Sequence, residues 1–502
     1  MPAQLTTRAQ VNGYRFLLRR LDHALIRRDV RMLHDPMRSQ TRSLIAGAVL
    51  GLLVVAGAAI MSFLKPQGSI GDANIVMGKE SGALYVVVKD EEDESKMTLH
   101  PVLNLASARL VAGSSESPTS VKDSKLGSTA RGPMLGIPGA PAALPGSSQG
   151  DRSDWTLCDT VKLSSSGSAD DSSGSTTTVI AGGLELSERI KTAESDSALL
   201  VRKGDKTYLL YDGKRAEIDP ENSVVRRTLN LAAHGARPIT TGLLDAATEV
   251  PPLLPPSIDR KGEPGPGGLS SVPVGGIIQV TALDDSGQRE LYVVLADGVQ
   301  RISEFTAQLI RNDDSQGMSE IKSVPPDLLD GIAPVRQLPV DEFPGAVPKI
   351  IDNSLNPVAC MQWSKARGVG LMDPDVAEGS ADRATISMLI GTRLPLPESA
   401  KPVQLATSDG IGDRIDSVYI RPASGELVQT TGNEPGSPRR GSMFYVADNG
   451  IRYGVPDLET AQILGLGDPR LAPWTIISQM VPGPTLSKDE ALISRDTLPT
   501  GT

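Results

Sequence analysis

Leu44–Leu64, LIAGAVLGLLVVAGAAIMSFL, is a run of 21 consecutive residues without a charge. At 1.5 Å rise per residue it makes a helix of about 30 Å, the hydrocarbon thickness of a bilayer, and it reads as a membrane span. Its flanks differ in sign. Residues 1–42 hold nine Arg and no Lys against Asp22, Asp29 and Asp35, whereas the far side opens on Lys65-Pro66 and then turns acidic. The positive-inside rule therefore places the N-terminus in the cytoplasm and residues 66–502 outside it. Ala56-Gly57-Ala58 matches the A-x-A pattern of a cleaved leader. A 43-residue leader, an apolar run well over 15 residues and six apolar or small residues left after that cut all argue for an uncleaved anchor.

The whole chain carries a net charge of −10, and because the first 42 residues are +6 the remainder is −16. An acidic outer part of this size argues against nucleic acid or anionic lipid as its partner. The length allows two to four domains. With 39% hydrophobic but only 3% aromatic residues, 50 Gly and 38 Pro, the outer part should be globular and loop-rich, with aliphatic cores. Cys158 and Cys360 are the two cysteines. Outside the cytoplasm two lone cysteines most simply form one disulfide, the alternative being two buried free thiols. Four scattered histidines and the lack of C-x-x-C offer no metal-ligand cluster.

Before the membrane, Val11, Tyr14, Leu18, Leu21, Leu25 and Met32 recur at three- and four-residue spacing, with Arg28 interrupting them. This predicts an amphipathic helix with an Arg-rich opposite side, ending at Asp35-Pro36. Such a helix rests on headgroups or docks on a cytoplasmic protein. Phe16, Leu17 and Ile26 lie off the stripe and favour a protein partner, with Val11, Tyr14, Phe16, Leu18, Leu21 and Leu25 as the docking residues.

Beyond the membrane one pattern recurs: a short aliphatic strand with an aromatic, a tight polar turn, then a second strand or a helix. It appears as LYVVVKD (Leu84–Asp90), TYLLYDG (Thr207–Gly213), LYVVLADG (Leu291–Gly298) and MFYVADNG (Met443–Gly450). The turn dipeptides Asp212-Gly213, Asp297-Gly298 and Asn449-Gly450 tolerate positive φ and predict type I′ hairpins; the first copy has the acidic run Asp90–Glu94 and a longer loop. Helix-compatible segments follow at Glu304–Arg311 and Pro456–Leu464. Hairpin-plus-helix units this small must pack on one another or on a central body. Gly132–Gly150, Ser164–Ser175 and Pro251–Gly268 read as loops or connectors rather than core. The segments WTLCDTV (Trp155–Val161) and ACMQW (Ala359–Trp363) flank two of the copies, so bridging their cysteines would gather a central domain and leave those copies as an insertion.

Three motifs invite a chemical reading and fail on context. Gly146-Ser147-Ser148-Gln149-Gly150 matches G-x-S-x-G but lacks the strand and helix of a nucleophile elbow. Gly204-Asp205-Lys206-Thr207 approaches the end of a phosphate-binding loop, yet Asp205 stands where that loop needs Gly directly before Lys, and Thr207 enters a strand. The run Asp90–Glu94 lacks the register of a calcium loop. No catalytic, cofactor-binding or metal-binding residue is assigned.

Several stretches together resemble one family, the EccB membrane component of mycobacterial type VII (ESX) secretion systems. They are Thr6–Leu25 (TTRAQVNGYRFLLRRLDHAL), Arg27–Pro36, Leu99–Val111 (LHPVLNLASARLV), Gly136–Pro141 (GIPGAP), WTLCDTV, Arg452–Gly467 (RYGVPDLETAQILGLG), Ala472–Trp474 (APW) and Gly483–Leu492 (GPTLSKDEAL). The resemblance implies an α+β fold: a single-pass inner-membrane protein whose periplasmic region has four repeat modules around a central, disulfide-stapled domain. It implies partners among the sibling components C, D and E and the mycosin protease, self-association in a hexameric or dimer-based channel, and peptidoglycan contact through modules likened to phage lysins. The pair Cys158 and Cys360 looks like the family's disulfide. The family carries an ATPase label in places; no nucleotide-binding motif here supports it, so ATP is expected only if that label holds, and component C is the better energy source. The expected layout is a cytoplasmic helix (1–42), the span (43–65), modules at 66–126, 191–255, 269–345 and 441–502, and a central domain from 127–190 and 346–440.

Overall fold

The computed structural model describes residues 6–28, 36–64, 70–89, 97–170, 172, 174–281, 289–366, 383–408 and 414–495. The acidic run Asp90–Glu94 and Met32 lie outside the described residues. The chain divides into two units, residues 1–71 with 120–127, and residues 72–119 with 128–502.

In the first unit, a helix runs from Arg8 to Arg27. A capping box starts it: Thr7 Oγ1 accepts the Gln10 N–H, and the Gln10 side chain accepts the Thr7 N–H. It does not continue to Asp35-Pro36. Arg28 turns left-handed at φ 56° and its N–H closes on Ala24 O, at the residue that interrupts the apolar stripe; residues 29–35 lie outside the described residues. Pro36 instead opens the second helix, Pro36–Leu64, where a missing N–H and a fixed φ cost nothing. Within it Gln40–Met61 is long and apolar enough to cross a membrane, and none of it is buried by protein.

The second unit is a mixed α/β body centred on a seven-stranded sheet, in spatial order Val403–Gln404, Ser417–Tyr419, Ser175–Ala181, Arg152–Val161, Val358–Ala366, Thr385–Gly391 and Ile190–Thr192. The middle strands Arg152–Val161 and Val358–Ala366 run antiparallel in a register that sets Cys158 opposite Cys360 and Trp155 opposite Trp363. Nearly every residue of Arg152–Val161 is buried, the polar Ser153, Asp154, Thr156 and Asp159 along with Trp155, Leu157 and Val161. Cys158 and Cys360 are bonded across the pair, wholly out of solvent, among Ile180, Ile190, Val358 and Leu389.

Around this sheet stand four smaller ones. Each opens on three antiparallel strands: Ile75–Gly78, Leu84–Lys89 and Met97–Pro101; Ser197–Lys203, Lys206–Tyr211 and Lys214–Ile218; Ile277–Thr281, Arg289–Leu295 and Gly298–Ile302; Gly425–Thr431, Met443–Ala447 and Ile451–Val455. A helix follows the third strand in every case, at Leu105–Ala112, Ser223–Thr228, Glu304–Asp313 and Leu458–Ile463. Asn104, Asn222, Ser303 and Asp457 cap these helices by accepting a backbone N–H of the first turn. Short parallel strands then return to the meander, such as Arg237–Pro238 and Thr248–Val250 in the second sheet and Arg470–Pro473 and Val481–Pro482 in the fourth. The aromatic-bearing segments of the sequence are therefore the middle strands, and each has a first strand before it that the recurring pattern did not include.

The turns divide by type. At Asp212-Gly213 both residues have positive φ, 45° and 72°, between the paired Tyr211 and Lys214, as a type I′ turn requires. Asp297-Gly298 corrects the expectation. Its loop residues are Ala296 and Asp297, neither at positive φ, and Gly298 already belongs to the next strand, paired with Leu295. Glycine stands there because a Cβ would lie 2.1 Å from Ala333 O, not because the turn needs it. At Asn449-Gly450 only Gly450 is left-handed, at φ 83°, and its N–H donates to Ala447 O, giving a three-residue loop.

The expected connectors are also part of the core. Ile137, Ala169 and Leu253, from the three Gly-, Ser- or Pro-rich stretches, are all fully or almost fully buried. A Pro-rich coil can be buried because proline brings no N–H to satisfy. The first and fourth sheets share one core, with Leu110 and Ile137 against Tyr445, Tyr453 and Leu464, and Arg109 donates to Leu464 O at 2.6 Å. The second and third share another, built on Leu209, Val225, Phe305 and Leu309. The largest core joins Trp155 and Met361 of the central sheet to Leu243 and Ile477, from the short helices Thr241–Ala246 and Trp474–Ile477.

Candidate functional site

The N-terminal helix leaves its apolar residues uncovered within its unit. Val11, Tyr14, Phe16, Leu18, Leu21 and Leu25 are all exposed, Leu25 most of all at 73%, and Leu17 and Ile26 extend the apolar surface beyond one stripe. Five arginines, Arg8, Arg15, Arg19, Arg20 and Arg27, share the same helix.

The chemical motifs sit in contexts that exclude their chemistry. Gly146–Gly150 is irregular coil, in which Ser147 Oγ accepts from Arg470 and the Ser148 N–H donates to Glu426. Gly204 lies in the tight turn between paired strands, at φ 59°, and Lys206 is held by Glu217 at 2.8 Å. Among the described residues no group of His, Cys, Asp and Glu is placed to hold a metal ion.

One buried charged pair anchors the second sheet to the central one. Asp159 and Arg237 are both fully buried. Asp159 accepts the Thr240 N–H at 2.9 Å and the Thr240 hydroxyl at 2.6 Å. Burial raises its carboxyl above the ordinary range, opposed by those hydrogen bonds and by the charge of Arg237. The same burial pushes the Arg237 guanidinium down to about 10, so it stays cationic at neutral pH. Both groups are walled off from solvent, so the pair is architectural.

Where the helices Thr241–Ala246 and Trp474–Ile477 meet, the second and fourth sheets leave a cleft of about 700 Å³. Arg215 reaches into its wall and is held by Asp245 at 2.6 Å and Glu249 at 2.9 Å. Across from them the loop Gly432–Ser442 is pinned by Asn433, whose Nδ2 donates to Asp245 O at 2.8 Å and whose Oδ1 accepts the Thr475 hydroxyl at 2.5 Å. Trp474 lines the cleft, 45% exposed and stacked on Phe444. Sequence reasoning assigned no function to this site, although the APW motif contained its most exposed aromatic.

A helix long and apolar enough to cross a membrane, an exposed apolar helix before it and a disulfide-bonded mixed α/β body after it define the class: a single-pass membrane component built for assembly. The family model for the type VII secretion system ESX-1, transport TM domain B, matches residues 3–500. Among curated relatives, the ESX-3 secretion system ATPase EccB3 of Mycolicibacterium smegmatis is 38% identical, over 98% of this chain and 92% of its own. The ESX-1 secretion system ATPase EccB1 of Mycobacterium tuberculosis is 35% identical, over 99% of this chain and 97% of its own. Among solved structures, a chain of an intact ESX-5 inner membrane complex matches with a TM-score of 0.69 at 32% identity, covering 100% of this chain and 98% of that one. A chain of the EccB3 dimer from the ESX-3 core complex matches at 0.67 and 34% identity, covering 84% and 100%. The chain belongs to the EccB family, the B component of the type VII secretion membrane complex.

Proposed function

We propose that this chain is a structural core component of an ESX inner-membrane complex, with its basic N-terminus in the cytoplasm and its acidic body in the periplasm, where copies assemble to build or gate the export channel. The layout carries the reading: an uncovered apolar helix, an uncovered span and a folded body follow one another in a single chain. The charge difference across the span, +6 before it against −16 after it, supports the orientation. The four outer sheets act as repeat modules around the central sheet; the fourth begins at Gly425 rather than at residue 441, and the first runs on to Arg131, beyond residue 126. Their pairing, first with fourth and second with third, gives the body a rigid frame that presents several surfaces to neighbours. Other membrane components of the system and further copies of this chain are its partners.

Val11, Tyr14, Phe16, Leu18, Leu21 and Leu25 form the docking surface of the N-terminal helix. Replacing Leu18, Leu21 and Leu25 together by Glu leaves every arginine in place, so the orientation is kept. Recovery of the other membrane components on affinity purification should fall about tenfold or more, as expected when central apolar anchors of an interface are lost. Undiminished recovery would remove the docking role. The ATPase in the relatives' names enters through the assembled complex, since the two segments resembling catalytic or phosphate-binding motifs are coil and a hairpin turn.

A further inference from the structure

We propose that a second cleft, between the loop 432–442 and the end of the central sheet, binds a phosphate group. It measures about 590 Å³ and takes Trp363 and Lys365 from the strand Val358–Ala366, Arg383 and Ala384 from the entry to Thr385–Gly391, and Glu434 and Arg440 from the loop. The loop is fixed before any ligand arrives: the Ala384 N–H donates to Pro435 O at 2.8 Å, and the Thr431 hydroxyl to Arg439 O at 2.9 Å. A cradle held in this way binds without the entropy cost of ordering a loop.

Two guanidiniums meet here without a counter-ion. Arg383 lies against Gly436, where a Cβ would sit 3.5 Å from its Nε, and Arg440 Nη1 donates to the next carbonyl, Ser437 O, at 3.1 Å and to Arg439 O at 2.9 Å. Among the described residues neither arginine has a carboxylate within ion-pair distance. Glu434 lines the cleft but pairs with neither, and Lys365, already partnered, adds charge only. Like charges gathered in one cleft repel each other, and an anion between them turns that repulsion into attraction. The chain beyond residue 42 carries −16, so a cationic cleft runs against its field, and an anion repelled by the rest of the body is drawn to this place.

A third donor selects among anions. Trp155 and Trp363 stand opposite each other on the two middle strands, and Trp155 Nε1 donates to Ser153 Oγ at 3.0 Å. Trp363, only 4% exposed, has no partner for its Nε1–H. A buried donor left unpaired is costly, and an oxygen seated in the cleft that Trp363 lines supplies the acceptor. Indole and guanidinium groups only donate. Three donor groups from three elements call for three acceptor oxygens around one centre, which a phosphate has and a carboxylate, with two, lacks. Trp363 is also the one aromatic among the described lining residues, and at this exposure it offers no face on which a nucleotide base could stack. The ligand class is therefore inorganic phosphate or a small phosphomonoester. The site depends on neither the membrane orientation nor the assembly role, so it stands or falls separately from both.

Calorimetry on the detergent-purified full chain, in a chloride buffer of fixed ionic strength, tests it with inorganic phosphate, glycerol 3-phosphate and acetate. At least one of the two phosphates should bind saturably, one per chain, and acetate should not. Tighter binding of inorganic phosphate identifies the free anion as the ligand, and the reverse order a phosphomonoester. Arg383 and Arg440 are exposed, so Arg383→Gln and Arg440→Gln spare the core, and each should weaken the binding about tenfold or more through lost charged hydrogen bonds. Lys206→Gln removes a positive charge from a hairpin elsewhere and should leave the binding unchanged. The proposal is overturned if neither phosphate binds, if acetate binds as well as they do, if both arginine variants bind like the wild type, or if Lys206→Gln weakens binding as much as they do.

Discussion

Replacing Cys158 and Cys360 together by alanine should lower the unfolding free energy of the central sheet by about 5 kcal/mol in the chain-entropy description of a crosslink. The bond joins residues 202 positions apart, and the loop it closes contains the whole of the second and third sheets. In the unfolded chain that constraint removes much of the conformational freedom of both, and the cost of folding falls accordingly. The packing around the sulfurs adds to the effect, because both cysteines are wholly buried between the two middle strands and alanine leaves their space unfilled. Urea titration followed through Trp155 and Trp363, on the same strands as the cysteines, measures it. A shift of less than about 1 kcal/mol would mean that the loop is already constrained in the unfolded state.

Asp159→Ala should be nearly as severe, costing about 3–5 kcal/mol, the range for removing one partner of a buried charged pair. The substitution strips the acceptor from the Thr240 N–H and hydroxyl, which begin the helix Thr241–Ala246. It also leaves Arg237 cationic and buried, with only Nη1 bonded, to Pro357 O at 3.2 Å and Asn356 O at 3.4 Å, while Nε and Nη2 have no partner. Asp159→Asn keeps an acceptor for Thr240 but loses the charge facing Arg237, so it should fall between the wild type and Asp159→Ala. Thermal unfolding of the three proteins side by side checks the order. Equal stability of Asp159→Ala and the wild type would show that Arg237 finds another counter-charge.

How much of this was legible beforehand depended on the range of the interaction. The span needed only its own composition, and the cap residues Asn104, Asn222, Ser303 and Asp457 act within their own first turn. The aromatic-bearing strands stood out by their aliphatic runs and turn residues, although the first strand of each meander is the more deeply buried. Their neighbours did not: Arg237–Pro238 and Val481–Pro482 are two residues long and become strands only by pairing with distant partners. Gly298 misled because glycine serves both turns and close approaches, and only the position of Ala333 O distinguishes them. Leu253 was hidden for a similar reason, since a proline-rich context usually marks surface. The cleft was least visible, because Arg215, Asn433 and Trp474 come from three separate stretches and converge only once the second and fourth sheets are in place. The buried Asp159 and Arg237 likewise carry no local pattern that separates them from solvated charges.

The account turns on one retained helix dividing a basic cytoplasmic foot from an acidic periplasmic body. Proteolysis of intact spheroplasts, with antibodies against each end of the chain, tests it most directly. The account expects residues 66–502 to be digested from outside while a small membrane-bound fragment with the arginine-rich N-terminus survives. A protected body, or a body released from the membrane without its first sixty or so residues, would contradict it.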